Sequence, residues 1–319
     1  MVYLFISCQS FSAIAQCPPN IDFELGNFMG WQCFTQDGYT GGIPNPVTLS
    51  APTPGRHDMY DNPPGNGRDF YGNFPKNCPN GSGHSVRIGV ETIGQFADKV
   101  SYQFTIPAGQ NTFSLIYNYA IVLNDGGTSH TVFDQPSFRI IAKNITDATP
   151  LPCPMDSIIV GGSMPGFILS GQPHNGDVWY KPWAAASINL DNLAGKTIEL
   201  SFIASGCGKN GGSHFGYAYI DVNTECSSSF VGAVFCPDDA FINVTAPYGY
   251  LTYEWFADLA LTIPIGNTQT INFTPPPPAG TIIYVRMVPI TGFGCTNILA
   301  AELLDTLTVQ SVAGADQLS

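Results

Sequence analysis

The sequence is poor in charge, and above all in positive charge. Only 11 lysines and arginines stand against 24 acidic residues among 319, and the net charge is −13. Such a surface repels the phosphates of nucleic acids, so a nucleic acid is not an expected partner. Acidic and amide side chains are instead suitable ligands for hard cations, and Ca²⁺ is the metal ion that this composition favours.

Helical periodicity and recognisable catalytic motifs are also missing. The sequence contains no GxSxG, Walker-type or HExxH pattern, and we predict that the chain is not an enzyme. Glycine (34), proline (26), phenylalanine (21) and tyrosine (14) are abundant, a mixture typical of short strands joined by turn-rich loops. The composition therefore predicts an all-β protein.

The N-terminus is typical of an exported protein. Residues 1–16, MVYLFISCQSFSAIAQ, form a short apolar run that ends in a small-x-small pattern, which is the pattern that signal peptidase cuts. The run is too short and too polar to span a membrane, so we expect no direct membrane insertion. Its removal leaves an even number of cysteines, which suits disulfide bonds in an oxidising compartment.

The first two thirds of the chain alternate between strand-like runs and turn residues. Apolar and polar residues alternate over residues 19–25, which predicts a first strand that turns at Gly26. Seven or eight antiparallel strands in this part of the chain predict a two-sheet jelly-roll sandwich at residues 17–227. The further strand-like runs occupy residues 85–90, 99–106, 112–123, 137–145, 157–162, 196–205 and 214–222.

A second pattern of strands follows a run of serines. It contains Trp255 between two cysteines, Cys236 and Cys295, and predicts an immunoglobulin-like sandwich at residues 228–311. We expect Cys236 and Cys295 to form a disulfide that pins the ends of this sandwich. Residues 312–319 look like the truncated start of a next repeat, so we expect the chain to be part of a longer multidomain protein.

The predicted strand at 214–222 has a histidine at its start and a cysteine close to each end. We expect these cysteines, Cys207 and Cys226, to form a second disulfide. His214 is interpreted as a packed or hydrogen-bonded histidine and not as a catalytic one. The sequence has no CxxC pair and no cysteine–histidine spacing of a zinc site, so a metal–thiolate site is not expected.

Several strings resemble secreted surface proteins of Bacteroidetes, which are large modular chains that carry PKD-like or immunoglobulin-like repeats and often end in a gliding-motility-associated sorting domain. The resemblance implies a secreted, extracellular protein attached to the cell surface, and it names an architecture and not a ligand. The strings are IDFELGNFMGWQC, the run from FSLIYNYAIVLND to DQPSFRI, and WYKPWAAASINLDNLAGKTIELSFIASGC followed by GGSHFGYAYIDV.

Glu24 and Asp221 resemble the acidic residues of the structural calcium site found in many carbohydrate-binding jelly rolls. In those domains the first strand carries a glutamate and the last strand an aspartate, and the two residues here match that arrangement. The resemblance implies Ca²⁺ as a structural cofactor, with backbone carbonyls completing its oxygen shell. The alternative is that both carboxylates cap backbone amides of nearby loops.

A long loop carries most of the candidate ligand-binding residues. Residues 56–74 combine aromatic rings with acidic groups, and sugars are recognised by stacking on aromatic faces and by hydrogen bonds to planar polar groups. A second aromatic cluster contains Trp179. The alternatives are that the loop aromatics pin the loop to the sandwich and that Trp179 belongs to the core. The candidate residues are Tyr60, Tyr71, Trp179, Asp58 and Asp61.

Binding or adhesion at the cell surface is the function that these features favour, with a glycan or a partner protein as ligand. Two other readings stay open. The jelly roll could be an accessory or catalytic part of a secreted polysaccharide-degrading enzyme, which would require two close carboxylates in a cleft. The whole chain could instead be a passive structural stalk, which requires no exposed aromatic or acidic surface.

Overall fold

The computed structural model describes residues 17–39, 44–61, 67–92, 94–151, 158–161, 164–209, 214–223, 226 and 228–306. The predicted signal peptide and the predicted start of a next repeat lie outside these residues. Apart from a 3-10 turn at Gly127–Ser129, the regular elements of the described chain are all β-strands. The predicted fold class, a jelly-roll sandwich followed by an immunoglobulin-like sandwich, is confirmed. Within the described chain, no helix combines the length and the apolar character needed to cross a membrane.

The strands fall into two groups along the chain. The first sandwich contains β1 (Trp31–Asp37), β2 (Thr48–Ser50), β3 (His57–Asp61), β4 (His84–Val90), β5 (Phe96–Thr105), β6 (Ser114–Asn124), β7 (Ser137–Asn144), β8 (Thr149–Pro150), β9 (Ile158–Ile159), β10 (Ile168–Leu169), β11 (Val178–Asn189), β12 (Thr197–Ser205) and β13 (Gly216–Val222). The second sandwich contains β14 (Ser229–Phe235), β15 (Ile242–Thr245), β16 (Thr252–Phe256), β17 (Pro264–Gly266), β18 (Thr270–Phe273), β19 (Ile282–Val288) and β20 (Asn297–Asp305).

Two antiparallel sheets face each other in the first sandwich. Sheet 1 has the order β2-β1-β5-β12-β7-β8, with β9 also paired to β7, and sheet 2 has the order β10-β11-β6-β13-β4-β3. Aliphatic and aromatic side chains such as Ile88, Tyr119 and Phe202 fill the space between them. β6 and β13 are buried along their whole length, because a loop and the second sandwich cover the outer face of sheet 2.

The chain enters the first sandwich through turns, and the strand predicted for residues 19–25 is wrong. Asn20 and Phe23 have positive φ angles of 56° and 63°, outside the β region. Backbone hydrogen bonds join residues three apart in this segment. Ile21 and Phe23 are nevertheless fully buried. The alternation of apolar residues therefore reflects the burial of a tight turn, and the first strand begins only at Trp31.

Both predicted disulfides are wrong. Cys226 is bonded to Cys17, 209 residues away, with the two Cα atoms 5.1 Å apart. Cys207 is a free buried thiol. Cys236 is a free exposed thiol, whereas Cys295 is disulfide-bonded, so these two do not form a pair. Disulfide geometry depends on which chain ends meet in space, and proximity in sequence does not determine that.

The second sandwich consists of a five-stranded and a two-stranded sheet. The larger sheet has the order β14-β20-β19-β16-β17, with β14 parallel to β20, and the smaller one pairs β15 with β18. Trp255 lies fully buried in the core between them. Its indole N–H donates to the carbonyl oxygen of Thr268 at 2.8 Å, so its one polar group is satisfied.

The two sandwiches share a buried interface. The N–H of Ala185 on β11 donates to the carbonyl oxygen of Gly249 at 2.8 Å. The ring of Phe293 stacks on that of Tyr119, with centroids 5.7 Å apart, and it belongs to the core of the first sandwich. The second sandwich therefore covers the outer face of sheet 2 around Ala185 and closes it to a ligand. That residues 17–227 and 228–311 are separate domains stays a prediction.

Candidate functional site

The outer face of β13 carries a row of aromatic side chains beneath a loop. Phe215, Tyr217 and Tyr219 project from this face, and all three are fully buried. The loop between β3 and β4 covers them with Phe74, whose ring meets that of Tyr219 edge-on at 5.5 Å between centroids. The alternative stated for the loop aromatics, that they pin the loop to the sandwich, holds for Phe74.

Asp69 is the residue that anchors this loop. Its carboxylate accepts hydrogen bonds from the hydroxyls of Tyr217 at 2.7 Å and Tyr219 at 3.1 Å. It also accepts from the backbone N–H groups of Tyr71 at 2.9 Å and Gly72 at 2.7 Å. A buried carboxylate with four donors is fully satisfied, so the loop backbone is fixed at this point.

Next to this anchor, three rings form a surface that we call the aromatic platform (Phe70, Tyr71 and His174). Phe70 is 56% exposed, and its ring meets that of Tyr71 edge-on at 5.0 Å between centroids. The ring of His174 lies 5.9 Å from that of Tyr71. Both Tyr71 and His174 rest on the buried ring of Phe215, at 5.2 and 5.1 Å. The platform is therefore a supported aromatic surface that faces solvent.

Charged groups cluster around Arg87 on β4. The guanidinium of Arg87 binds Asp58 at 2.6 Å and Glu91 at 2.5 Å, and it lies 5.5 Å from the ring centroid of Tyr217. Burial, together with the charges of Glu91 and Asp69, raises the pKa of Tyr71. Its hydroxyl therefore stays protonated at neutral pH and can donate a hydrogen bond to a ligand.

The structure separates the five predicted ligand-binding residues. Tyr71 belongs to the platform, whereas Asp58 pairs with Arg87, which lies against the buried ring of Tyr217. Tyr60 is half-buried on β3 with its ring 5.6 Å from that of Tyr219.

The other two predicted residues lie elsewhere. Asp61 is at the far end of β3, where it pairs with His84 Nε2 at 3.4 Å. Trp179 is half-buried against the core between the sheets, which agrees with its alternative reading as a core residue. Phe70 belongs to the predicted aromatic loop but was not among the five candidate residues. His174 was not predicted, because nothing in the local sequence brings residue 174 to the loop of residue 70.

The predicted calcium residues contact the same loop before β4. Glu24 Oε1 accepts hydrogen bonds from Ser82 Oγ at 2.5 Å and from the N–H groups of Gly83 and His84 at 2.9 and 3.1 Å. Glu24 therefore caps backbone amides, as the alternative reading has it. Asp221 is fully buried at the end of β13.

Oxygen atoms surround the side-chain nitrogen of Asn80 next to Asp221. Asn80 Nδ2 lies 2.9 Å from Asp221 Oδ2 and 3.3 Å from both Asn118 Oδ1 and Asn223 Oδ1. Burial raises the pKa of Asp221 to about 8, although hydrogen bonds from Asn80 and others oppose the shift. Carboxylate and amide oxygens that converge on one point form a donor set suited to a hard cation.

No protein-family model and no curated protein matches this chain. The TmCBM61 module in complex with β-1,4-galactotriose is a similar solved structure, with 11% sequence identity, 66% of this chain and 99% of that chain covered, and a TM-score of 0.31. The family 11 carbohydrate-binding module from Clostridium thermocellum in complex with a mixed-linked tetrasaccharide has 9% identity, coverages of 67% and 96%, and a TM-score of 0.25.

The adhesin domain of Epf from Streptococcus pyogenes is similar at 9% identity, with coverages of 86% and 92% and a TM-score of 0.20. The structural neighbours thus include carbohydrate-binding modules and an adhesin domain. At such low identities and TM-scores these likenesses do not decide what this chain binds.

Proposed function

We propose that the chain is a non-catalytic module that binds a glycan through the aromatic platform, and that it is exported and displayed at the cell surface as part of a longer modular protein. The observation that carries the binding proposal is the exposed ring of Phe70 on Tyr71, held by the buried anchor of Asp69. The disulfide between Cys17 and Cys226 supports export, because such bonds persist in oxidising compartments.

The platform has the chemistry that sugars require. The C–H face of a sugar ring stacks on an exposed aromatic ring, and its hydroxyls bond to planar polar groups around that ring. Phe70 and His174 offer rings, while the hydroxyl of Tyr71 offers a hydrogen-bond donor and acceptor. Hydrogen bonds from the loop backbone to Asp69 hold Tyr71 in place, so little conformational entropy is lost when a ligand binds.

The acidic groups near the platform support binding and not glycoside hydrolysis. A glycosidase needs one carboxyl group that donates a proton and a second one that is free to attack or to activate water. Asp58 and Glu91 both pair with the same arginine, Arg87. Asp69 is buried, with its hydrogen-bonding capacity taken by tyrosine hydroxyls and backbone amides.

The test measures binding of the full chain to a panel of soluble polysaccharides by calorimetry, together with the release of reducing sugar. We expect binding without release. Phe70→Ala and Tyr71→Ala are expected to weaken binding at least about tenfold, because each removes roughly 1.4 kcal/mol or more of stacking and burial. Phe241→Ala is the matched control, since Phe241 is 57% exposed but lies in the second sandwich.

Three results would contradict the proposal in different ways. Sugar release would identify an enzyme. Equal loss of affinity in Phe241→Ala would place the binding surface elsewhere. Binding to no member of a broad panel would favour a protein ligand or a passive stalk.

We also propose that Ca²⁺ binds at Asp221, with Asn118 and Asn223 as further oxygen ligands and the Asn80 amide group displaced. The three oxygens that surround Asn80 Nδ2 support this proposal. Glu24, which contacts the same loop, would act by holding the loop through its amide hydrogen bonds. The ion would supply the positive charge that lets the buried carboxyl group ionise.

The calcium proposal predicts a specific pH dependence. Without metal, the pKa of Asp221 is about 8 in the folded chain and 3.8 in the unfolded chain. Between these two pH values only the folded chain holds the proton. Stability therefore falls as the pH rises from about 4 to about 8, and Ca²⁺ reverses this fall. We expect the Tm at pH 8 to rise with Ca²⁺ and to fall with chelator, and Asp221→Asn to abolish both effects. The proposal would be contradicted if Ca²⁺ left the Tm of the unaltered chain unchanged, or if the exposed control Asp238→Asn lost the Tm increase with Ca²⁺.

A further inference from the structure

Three side chains with transition-metal ligand atoms meet at the end of the first sandwich. The ligand atoms of His130, Cys207 and His214 all lie within 4.8 Å of one another. His130 Nε2 is already 2.8 Å from Cys207 Sγ. A tetrahedral Zn²⁺ ion holds nitrogen and sulfur ligands about 3.3–3.8 Å apart, so small side-chain adjustments would place all three around one ion.

Backbone contacts hold the three segments together without a metal. Cys207 lies two residues after the end of β12, and its N–H donates to the carbonyl oxygen of His214 at 3.0 Å. His130 ends the 3-10 turn after β6. The ammonium group of Lys209 donates to the carbonyl oxygen of Ser129 at 2.7 Å, and Gly208 N–H donates to that of Asp134 at 2.9 Å. The ligand set is therefore preorganised.

The ligand atoms also have the bonding state that a metal requires. Nδ1 of His214 is buried and has no hydrogen-bond partner among the described residues. His130 Nδ1 contacts Ser129 Oγ at 3.1 Å, which orients the ring and directs Nε2 to the thiol. Cys207 Sγ accepts a hydrogen bond from the N–H of Lys209 at 3.4 Å.

We propose that His130, Cys207 and His214 form a Zn²⁺ site that ties the loop after β6 to the loop between β12 and β13. One thiolate and two imidazoles suit a borderline-soft ion and exclude Ca²⁺ and Mg²⁺, which prefer oxygen. A solvent oxygen completes the tetrahedron. Binding releases one proton, because Cys207–SH and Zn²⁺ give Cys207–S⁻–Zn²⁺ and H⁺.

This site was not expected from the sequence, which predicts no metal–thiolate site and a disulfide for Cys207. His130 and Cys207 are 77 residues apart in the sequence, so they do not form a short metal-binding motif. Cys207 does not take part in the disulfide of Cys226, which is bonded to Cys17. Its buried thiol is therefore free to act as a ligand, and the site does not depend on the glycan proposal.

The experiment titrates the metal-free full chain with Co²⁺ under anaerobic conditions, with Zn²⁺ as competitor. We expect a thiolate-to-cobalt charge-transfer band and the intense visible bands of a tetrahedral ion, saturating at one equivalent and lost when Zn²⁺ is added. Cys207→Ser and His214→Asn should weaken binding by more than the ~10–100-fold that the loss of an outer-sphere partner causes. Cys236→Ser, which removes an exposed free thiol, should leave the titration unchanged.

A second measurement on the unaltered chain covers the case in which the ligand variants do not fold. Zn²⁺ should protect Cys207 against alkylation, read out by mass spectrometry, and should leave the reaction of Cys236 unchanged. It should also raise the Tm. The absence of the charge-transfer band, equal weakening by Cys236→Ser, or alkylation of Cys207 at an unchanged rate in saturating Zn²⁺ would each overturn the proposal.

Discussion

Lys181 has an ammonium group that the fold removes from water without an opposite charge. The side chain is 2% exposed, and its Nζ lies 5.3 Å from the ring centroid of Phe293 and 5.9 Å from that of Tyr119. Among the described residues no carboxylate forms an ion pair with it. Burial lowers the pKa of Lys181 to about 8. The protein is therefore less stable at neutral pH than it would be with an uncharged side chain here.

Replacing Lys181 with methionine tests this reasoning, because methionine keeps most of the length and apolar surface of the side chain. The loss of stability caused by the buried charge is complete below pH 8, where both the folded and the unfolded chain carry the proton. It decreases between pH 8 and the unfolded pKa of 10.5, because the folded chain has then lost the proton that the unfolded chain still carries. We expect Lys181→Met to raise the free energy of unfolding at pH 7 by up to about 3 kcal/mol, given ~1.4 kcal/mol per pKa unit.

Urea unfolding of Lys181→Met and of the unaltered chain at pH 7 and pH 10 gives the measurement. The exposed Lys143→Met serves as the control and should change little. The difference between Lys181→Met and the unaltered chain should shrink at the higher pH. A destabilised variant at both pH values would show that the contacts of the ammonium group with the two rings outweigh its desolvation.

At the scale of strands and loops, alternation in the sequence predicts that strands exist but not the turns between them. The runs at 85–90, 99–106, 112–123 and 196–205 correspond to β4, β5, β6 and β12, because their apolar residues face one continuous core. The segment 19–25 has the same alternation but forms turns. There the side chain of Asn20 accepts a hydrogen bond from the N–H of Leu25 at 2.9 Å and donates to the carbonyl oxygen of Met29 at 2.8 Å, a local network that hydrophobic periodicity does not report.

Long-range contacts explain why only part of the candidate site could be predicted. Tyr71 and Asp58 were identified from the composition of one loop, because that loop is continuous in sequence. Asp69 accepts hydrogen bonds from tyrosines 148 and 150 residues away, and His174 reaches the platform from the segment before β11. Only the sheet topology brings such residues together, and the order of the strands in a sheet cannot be deduced from a single sequence.

At the scale of the whole molecule, the two sandwiches are coupled through close backbone contact. Gly249 has a φ of +105°, and a Cβ atom there would lie 2.8 Å from the backbone nitrogen of Ala185. Gly294 has a φ of +128°, and a Cβ atom there would lie 2.6 Å from the Cβ of Ala186. Ser187 and Tyr250 share a hydrogen bond between their hydroxyls across the same interface. The second sandwich is therefore docked on β11 by contacts that tolerate no added side chain.

Gly249→Ala should accordingly cost more stability than a positive φ alone explains. Gly280 has a φ of +80°, and a Cβ atom added there would meet nothing within 4 Å, so Gly280→Ala measures the backbone penalty of about 1–2 kcal/mol. Gly249→Ala adds a steric conflict at the interface, which typically costs a further ~1–3 kcal/mol.

Thermal unfolding followed by tryptophan fluorescence should give one cooperative transition for the unaltered chain and for Gly280→Ala. For Gly249→Ala we expect a transition at lower temperature or two separate transitions. Equal losses in the two variants would mean that the sandwiches fold without support from their interface, whereas a specific loss in Gly249→Ala would mean that the interface stabilises the folded chain.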